Sequence, residues 1–308
     1  MIVLRRNIVL GLVAAGLAAA HVLFQPPRAV ERAVRPLLPL LDVDAVTRLE
    51  IAAPGGEPST TLERSAGGED FEVLEKQRAQ ARGAEVSALL SELAAMTDLD
   101  VVGLGANAAA DFGLDDAGAT RLELDGPLGT AATLRVAAAE GGAAFVHLEG
   151  EERVVRVPRF RVPPADPRAW FDSYVLVPIA GRELREVRVE GGGLPAPVMV
   201  RARAGDVAAY EDRDGRALDD RLVSELLQRL RVATALDVVP RPSDETPAVL
   251  TLGLDSYDGT SLEVRITDLG SADGAAPRAG VAYRSDLGYA VEVSPAWLEQ
   301  VLEVARRF

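Results

Sequence analysis

The chain repeats itself, and that constrains its fold more than any other feature. Val86-Ser87-Ala88-Leu89-Leu90-Ser91-Glu92-Leu93 returns as Val223-Ser224-Glu225-Leu226-Leu227-Gln228-Arg229-Leu230. The register then runs on without a gap, Thr97-Asp98-Leu99-Asp100-Val101-Val102 matching Thr234-Ala235-Leu236-Asp237-Val238-Val239. A second block matches Leu122-Glu123-Leu124-Asp125 and Gly129-Thr130 to Leu252-Gly253-Leu254-Asp255 and Gly259-Thr260. Leu134-Arg135-Val136 likewise matches Val264-Arg265-Ile266, and Val155 and Val157 match Val291 and Val293. The first copy is longer by one connection, Gly103–Ala119. A repeat on this scale predicts two copies of one unit, residues 43–175 and 176–308.

Each unit reads as antiparallel strands with packed helices. Val46, Leu49 and Ile51 alternate as a strand does, and so do Leu184, Val187 and Val189. Gly55-Gly56 and Gly191-Gly192-Gly193 then mark turns. Val86, Leu89, Leu90 and Leu93 share one helical face, as do Val223, Leu226, Leu227 and Leu230. Asp219 or Asp220 suits the cap of the second of these helices. Hairpins follow, with Asp258-Gly259 as a turn signal. A closing helix is expected around Asp166–Tyr174 and again around Pro295–Arg307, where Pro295 suits a first helical turn. The fold class is α+β, a tandem duplication of an antiparallel sheet unit.

Ahead of the units lie residues 1–25 and a connector, 26–42. Arg5 and Arg6 precede an apolar run from Ile8 to Phe24. Those seventeen residues span about 25 Å as a helix, near the short limit for crossing a membrane. The run reads as a signal anchor, because apolarity continues through Val22-Leu23-Phe24 past the small residues Ala18-Ala19-Ala20. A cleaved signal peptide ending at those alanines is the alternative. Arginines flank the run on both sides, so the charge rule gives no clear orientation. In the connector, Ala29, Val30, Ala33, Val34 and Leu37 recur at helical spacing until Pro36 and Pro39 interrupt. It is read either as a juxtamembrane stalk or as a short helix docked on its own domain.

Composition removes several chemistries. The chain has no cysteine and only two histidines, His21 and His147. Thiol catalysis, zinc–cysteine sites and iron–sulfur clusters are therefore excluded, and a Ser–His–Asp triad is hard to build. The net charge of −14 argues against nucleic acid. His147 alternates with Val146 and Leu148 and reads as a surface residue of a strand. Lys76 is the sole lysine, a bias best explained by base composition. Asp111-Phe112-Gly113 spells the magnesium motif of kinases without any companion motif. Asp212-Arg213-Asp214-Gly215 lacks the rest of a calcium loop and reads as a turn. No catalytic residue, cofactor or metal ligand is assigned. One candidate surface remains: Asp111, Phe112, Leu114, Asp115 and Asp116, where two apolar side chains sit among carboxylates. They form either a partner-docking loop or a loop whose Phe112 and Leu114 tuck into the core.

The ordered set of an N-terminal apolar run, Val46-Thr47-Arg48-Leu49-Glu50-Ile51, Val86–Leu93, Asp111-Phe112-Gly113-Leu114-Asp115-Asp116-Ala117, Thr120–Leu124 and Asp166-Pro167-Arg168-Ala169-Trp170 resembles the domain of unknown function 4340 family. The similarity covers most of 43–308. Phe112-Gly113-Leu114-Asp115 is similar to that family's Tyr-Gly-Leu-Asp turn, which the second copy lacks. The resemblance implies a bacterial protein of the inner membrane, single-pass, with its C-terminal part extracytoplasmic. It also implies association with ABC transporter subunits of the gliding-motility or auxiliary-exporter type. It carries no catalytic residues over. The expectation is a non-enzymatic accessory or scaffold protein of the envelope. The alternative is a periplasmic ligand- or polymer-binding module using a cleft between the copies, with Tyr210, Tyr257, Tyr283 or Tyr289 as lining.

Overall fold

The structure, a computed structural model, describes residues 35–39, 41–68, 70–105, 107–178, 184–203, 206–269 and 279–308. The expected signal anchor, 1–25, and most of the connector, 26–34, lie outside the described residues. Among the described residues no helix is long and apolar enough to cross a membrane.

The first sheet contains β1 (Arg48–Ala52), β2 (Ser59–Arg64), β3 (Phe71–Val73), β4 (Ala79–Gln80), β5 (Val101–Leu104), β6 (Thr120–Gly126), β7 (Gly129–Ala139), β8 (Ala143–Leu148) and β9 (Arg153–Val157). Its spatial order is β4-β3-β2-β1-β6-β7-β8-β9-β5. The second contains β10 (Leu184–Gly191), β11 (Val198–Arg203), β12 (Asp206–Glu211), β13 (Ala235–Pro240), β14 (Leu250–Ser256), β15 (Ser261–Asp268), β16 (Gly280–Arg284) and β17 (Tyr289–Val293). Its order is β12-β11-β10-β14-β15-β16-β17-β13. Strand for strand this is the order of the first sheet, with β4 reduced to a single bridge between Ala217 and Glu211. The registers agree too: Leu122 faces Leu134 as Leu252 faces Val264, and Val101 faces Val155 as Val238 faces Val291. Every pairing in both sheets is antiparallel. The architecture is α+β with two antiparallel sheets and few helices.

The helices are α1 (Gly83–Ala94), α2 (Ala108–Asp111), α3 (Asp220–Arg231) and α4 (Pro295–Ala305). α1 buries Val86, Leu89, Leu90 and Leu93, and α3 buries Val223, Leu226, Leu227 and Leu230, the faces that the sequence spacing picks out. Asp219 caps α3 by accepting from the Arg221 and Leu222 N–H groups. Beneath these faces the alternating strand residues Leu49, Ile51, Leu122, Leu124, Leu252 and Leu254 are fully buried. The apolar side chains of both halves form one continuous core.

The closing helix of the first half is not there. Asp166–Tyr174 instead holds a single 3-10 turn, Pro167–Ala169. Asp166 caps that turn by accepting from the Arg168 N–H and Pro167 suits its first position, but the turn stops at Trp170, where the chain passes into pairing with the sheet edge. The segment lies along the sheet edge instead: Ala81 bridges Phe171, and the Asp172 N–H donates to Gln80 O. Trp170 is buried, its indole N–H donating to Pro164 O at 2.7 Å. In the second half α4 does form and packs on α3, with the Trp297 indole N–H donating to Arg229 O at 2.8 Å.

The end of the connector is fastened to the body. Arg35 N–H donates to Asp98 Oδ1 at 2.8 Å, Asp98 N–H to Arg35 O at 2.9 Å, and Leu37 N–H to Met96 O at 2.8 Å. Leu37 and Leu38 are buried in the core. Asp98 in turn accepts from Arg153 at 2.7 Å, which ties the strap to β9.

Candidate functional site

The loop Asp111–Asp116 covers the face of the first sheet opposite the main core. Leu114 is buried with Ala108, Ala119 and Val154 in a separate small cluster. Phe112 is half-buried, its ring 4.8 Å from that of Phe145 and tilted by 57°. Gly103 makes that approach possible, since a Cβ there would come within 2.8 Å of the Phe112 ring. Asp115 accepts from the Gly118 N–H at 2.8 Å as a turn does, and Asp116 pairs with Arg135 at 2.6 Å. Asp111, Asp115 and Asp116 are exposed. The face this loop offers outward is thus carboxylate, with its apolar side chains turned to the sheet.

A second constellation lies where the two halves meet, and nothing in the sequence announced it. After the 3-10 turn Leu74–Lys76, Gln77 and Arg78 both adopt left-handed backbone, with φ of 55° and 57°. Each such residue costs about 1 kcal/mol or more. The pair reverses the chain into β4 and leaves Lys76 at the junction. There the Lys76 ammonium donates to Asp237 Oδ1 at 2.5 Å, and the side chains are only 15% and 14% exposed. Arg168 donates to Oδ2 through Nε at 2.9 Å and through its terminal nitrogen at 2.7 Å. The Val238 N–H completes the set at 2.8 Å. Burial alone would raise the pKa of Asp237. The Lys76 ammonium, the Val238 amide and Arg168 outweigh it and hold the carboxyl below the usual carboxylate range. Two further bonds cross the junction, Ala235 N–H to Ser173 O and Arg284 to Val175 O, each 2.7 Å.

This arrangement fixes the Lys76 amine in a salt link. Reaction with an amine-directed acylating reagent is expected to be about tenfold slower at Lys76 in the native chain than in urea, since labelling then waits for local opening. Peptide mass spectrometry measures it, and equal rates in both states would show that the link is loose.

Beside the clasp, Gln77, Arg78, Gln80, Asp286, Leu287 and Tyr289 border an open cleft of about 460 Å³. Of the four tyrosines considered as lining, only Tyr289 reaches it. Tyr283 is buried elsewhere, under the Arg241 guanidinium at 4.8 Å from its ring centroid. Tyr210 is half-buried and Tyr257 is exposed at a hairpin turn. Burial raises the pKa of Tyr289, against a hydrogen bond to the Gln80 backbone. His147 is half-buried in β8, opposite Arg135, and Tyr283 occupies the matching place in β16, opposite Arg265. The His147 Nε2 lies 2.9 Å from Glu151 O, while its Nδ1 and the Tyr283 hydroxyl are buried with no hydrogen-bond partner.

Carboxylates share several hollows, among them Glu190, Asp255 and Glu263 beside Arg188 on the outer face of the second sheet, and Glu50, Asp115 and Asp116 beside Arg121 and Arg135 on the first. Arg188 reaches Asp255 at 3.5 Å. The carboxyls with clear shifts, Asp237, Asp258 and Asp286, are all held down, by the junction cations, by Ser256 and by Arg284 respectively. A general acid needs the opposite shift. Among the described residues no three His, Asp or Glu side chains converge as metal ligands.

A family model described as "Domain of unknown function (DUF4340)" matches residues 72–255, more than half of the chain. The matched stretch starts in β3 and ends in β14, so it contains Lys76, Arg168 and Asp237. No curated protein and no solved structure matches the chain.

Proposed function

The chain belongs to the DUF4340 family, and from that premise we propose that it is a non-enzymatic accessory or scaffold protein of the bacterial envelope. It is held in the inner membrane by the single span 8–24 and works beside an ABC-type transporter of the gliding-motility kind. The two sheets are copies of one unit, a reading supported by their common strand order. The observation that carries the proposal is the short, fastened tether. Only ten residues, 25–34, separate the apolar run from Arg35, whose backbone is pinned to the body. Fully extended, they reach about 35 Å, so the body works at the membrane surface. There it presents a mainly carboxylate loop at Asp111–Asp116 on one sheet and a clasped junction between the sheets.

The test is purification of the full chain through an affinity tag in mild detergent. Transporter subunits in fixed proportion to the chain are the expected result, and a chain that elutes alone counts against the reading. Washing membranes at high pH tests the anchor separately. The chain is expected to stay in the pellet, and its release into the supernatant would mean that no span holds it.

A further inference from the structure

We infer that the end of the first half beside the strap lies against the lipid surface itself, with the Leu99 side chain in the interfacial layer and the Arg159 guanidinium at lipid phosphates. This rests on the anchor reading above and deepens it by naming the face that meets the membrane.

Leu99 is 73% exposed. It follows directly on Asp98, whose carboxylate accepts from the Arg35 N–H and whose own N–H donates to Arg35 O. A large apolar side chain thus stands in water where the tether joins the body. Beside it runs a groove of about 700 Å³, with Met96, Val157 and Phe160 as its apolar part and Arg156 and Arg159 along its border. Arg159 is exposed and holds left-handed backbone at φ 60°, and strain of that kind gathers at surfaces that bind. Arg159 and the exposed Arg161 pair with no carboxylate among the described residues. Glu92 and Asp100 border the groove as well, and Asp100 faces Arg156 at 3.8 Å. An apolar side chain ringed by guanidinium groups is what interfacial binding uses: the apolar part enters the acyl boundary and the cations meet anionic headgroups.

The length and attachment of the tether select this end of the molecule. Ten residues, 25–34, separate the apolar run from Arg35, so the patch beside Arg35 is held close to the bilayer at high effective concentration. A contact too small to hold a free protein then becomes persistent. The strand registers give the direction. Leu99 lies beside Val157, which pairs with Ala144, which pairs with Ala138 of β7. The exposed Leu128 precedes Ala138 along the same hairpin by ten residues, or about 33 Å of strand. The two leucines therefore mark opposite ends of the strands, and the tether enters at the Leu99 end. The second half exposes the matching Leu236 and Val232, 51% and 52%. That patch adjoins Asp237, clasped by Lys76 near β4, at the far edge of the first sheet from β5. Eight strand spacings lie between those edges, about 38 Å across the sheet, so the tether favours the first patch alone.

The natural absence of cysteine allows a single probe to be placed at will. The full chain carrying Leu99→Cys, or Leu128→Cys as control, is labelled with a bimane fluorophore. Both positions are exposed, so neither substitution threatens folding. The labelled chain is reconstituted into vesicles of phosphatidylcholine and phosphatidylglycerol with brominated acyl chains, which quench only a probe that reaches them. Flotation on a density gradient first shows whether the chain is held. Quenching at least about threefold stronger at Leu99→Cys than at Leu128→Cys is the expected result. Adding Arg159→Glu should cut that excess about twofold, and only where phosphatidylglycerol is present. A chain that floats with equal quenching at the two positions overturns this inference and leaves the anchor standing, since the Leu99 face would then be free for a protein partner. A chain that does not float overturns the anchor and this inference with it.

Discussion

Asp237→Ala is expected to destabilise the chain by about 3 kcal/mol, because it leaves Lys76 charged in a largely buried place with nothing to meet it. Urea unfolding at neutral pH measures the loss as a lower midpoint. Removing both partners is different. Lys76→Met combined with Asp237→Leu replaces the ions by apolar groups of similar size and should cost far less than the single substitution. Arg168→Ala should cost less than about 1 kcal/mol, since Arg168 is mostly exposed and water screens its pairing. The pH dependence follows from the direction of the shift. The Asp237 carboxyl titrates lower in the folded chain than in the unfolded one. Its stabilisation is therefore complete above the unfolded value, about pH 4, and is lost as the pH falls through the folded value. The gap in stability between the natural chain and Asp237→Ala should narrow below about pH 4. An unchanged unfolding midpoint for Asp237→Ala would show that the clasp adds nothing to the apolar packing and the two other hydrogen bonds across the junction.

Trp297→Ala should cost about 3–5 kcal/mol, as removal of a large buried aromatic does. Trp297 ties α4 to α3, and its loss leaves both a cavity and the Arg229 carbonyl without its donor. Trp297→Phe keeps most of the ring volume and should cost about 1–3 kcal/mol, mainly through that carbonyl. Trp170 is then the only tryptophan and reports on the first half by fluorescence. Hydrogen exchange should rise in α3, α4 and β13 well before β6, β7 and β8. Uniform acceleration along the chain would mean that the two halves open as one and that α4 has no local role.

Regular structure was legible because it is written locally. Val86, Leu89, Leu90 and Leu93 declare their buried face by spacing alone, and the second copy repeats the statement at Val223–Leu230. The strands of each hairpin announce themselves by alternation. The helix expected near Asp166 has its cap and its first-turn proline but ends after one turn, because Phe171 and Asp172 pair with Ala81 and Gln80 at the sheet edge, a partner that local spacing does not show. The junction was not legible at all. Lys76 and Asp237 are 161 positions apart, and the repeated Leu-Asp-Val-Val block that holds Asp237 carries no sign of a distant partner. Lys76 stood out as the sole lysine, which base composition accounts for equally well. The loop at Asp111–Asp116 allowed two readings in sequence. Its geometry depends on Gly103 and Phe145, which become neighbours of Phe112 only when β5, β8 and β9 pair.

The strap at Arg35–Leu38 has a mechanical meaning. A pull on the N-terminal chain first meets the backbone bonds to Met96 and Asp98 and then two leucines in the core. Through Asp98 and Arg153 the load passes to β9 rather than along a slack leash. A load on Arg35 is thus borne by the first sheet and not by its loops.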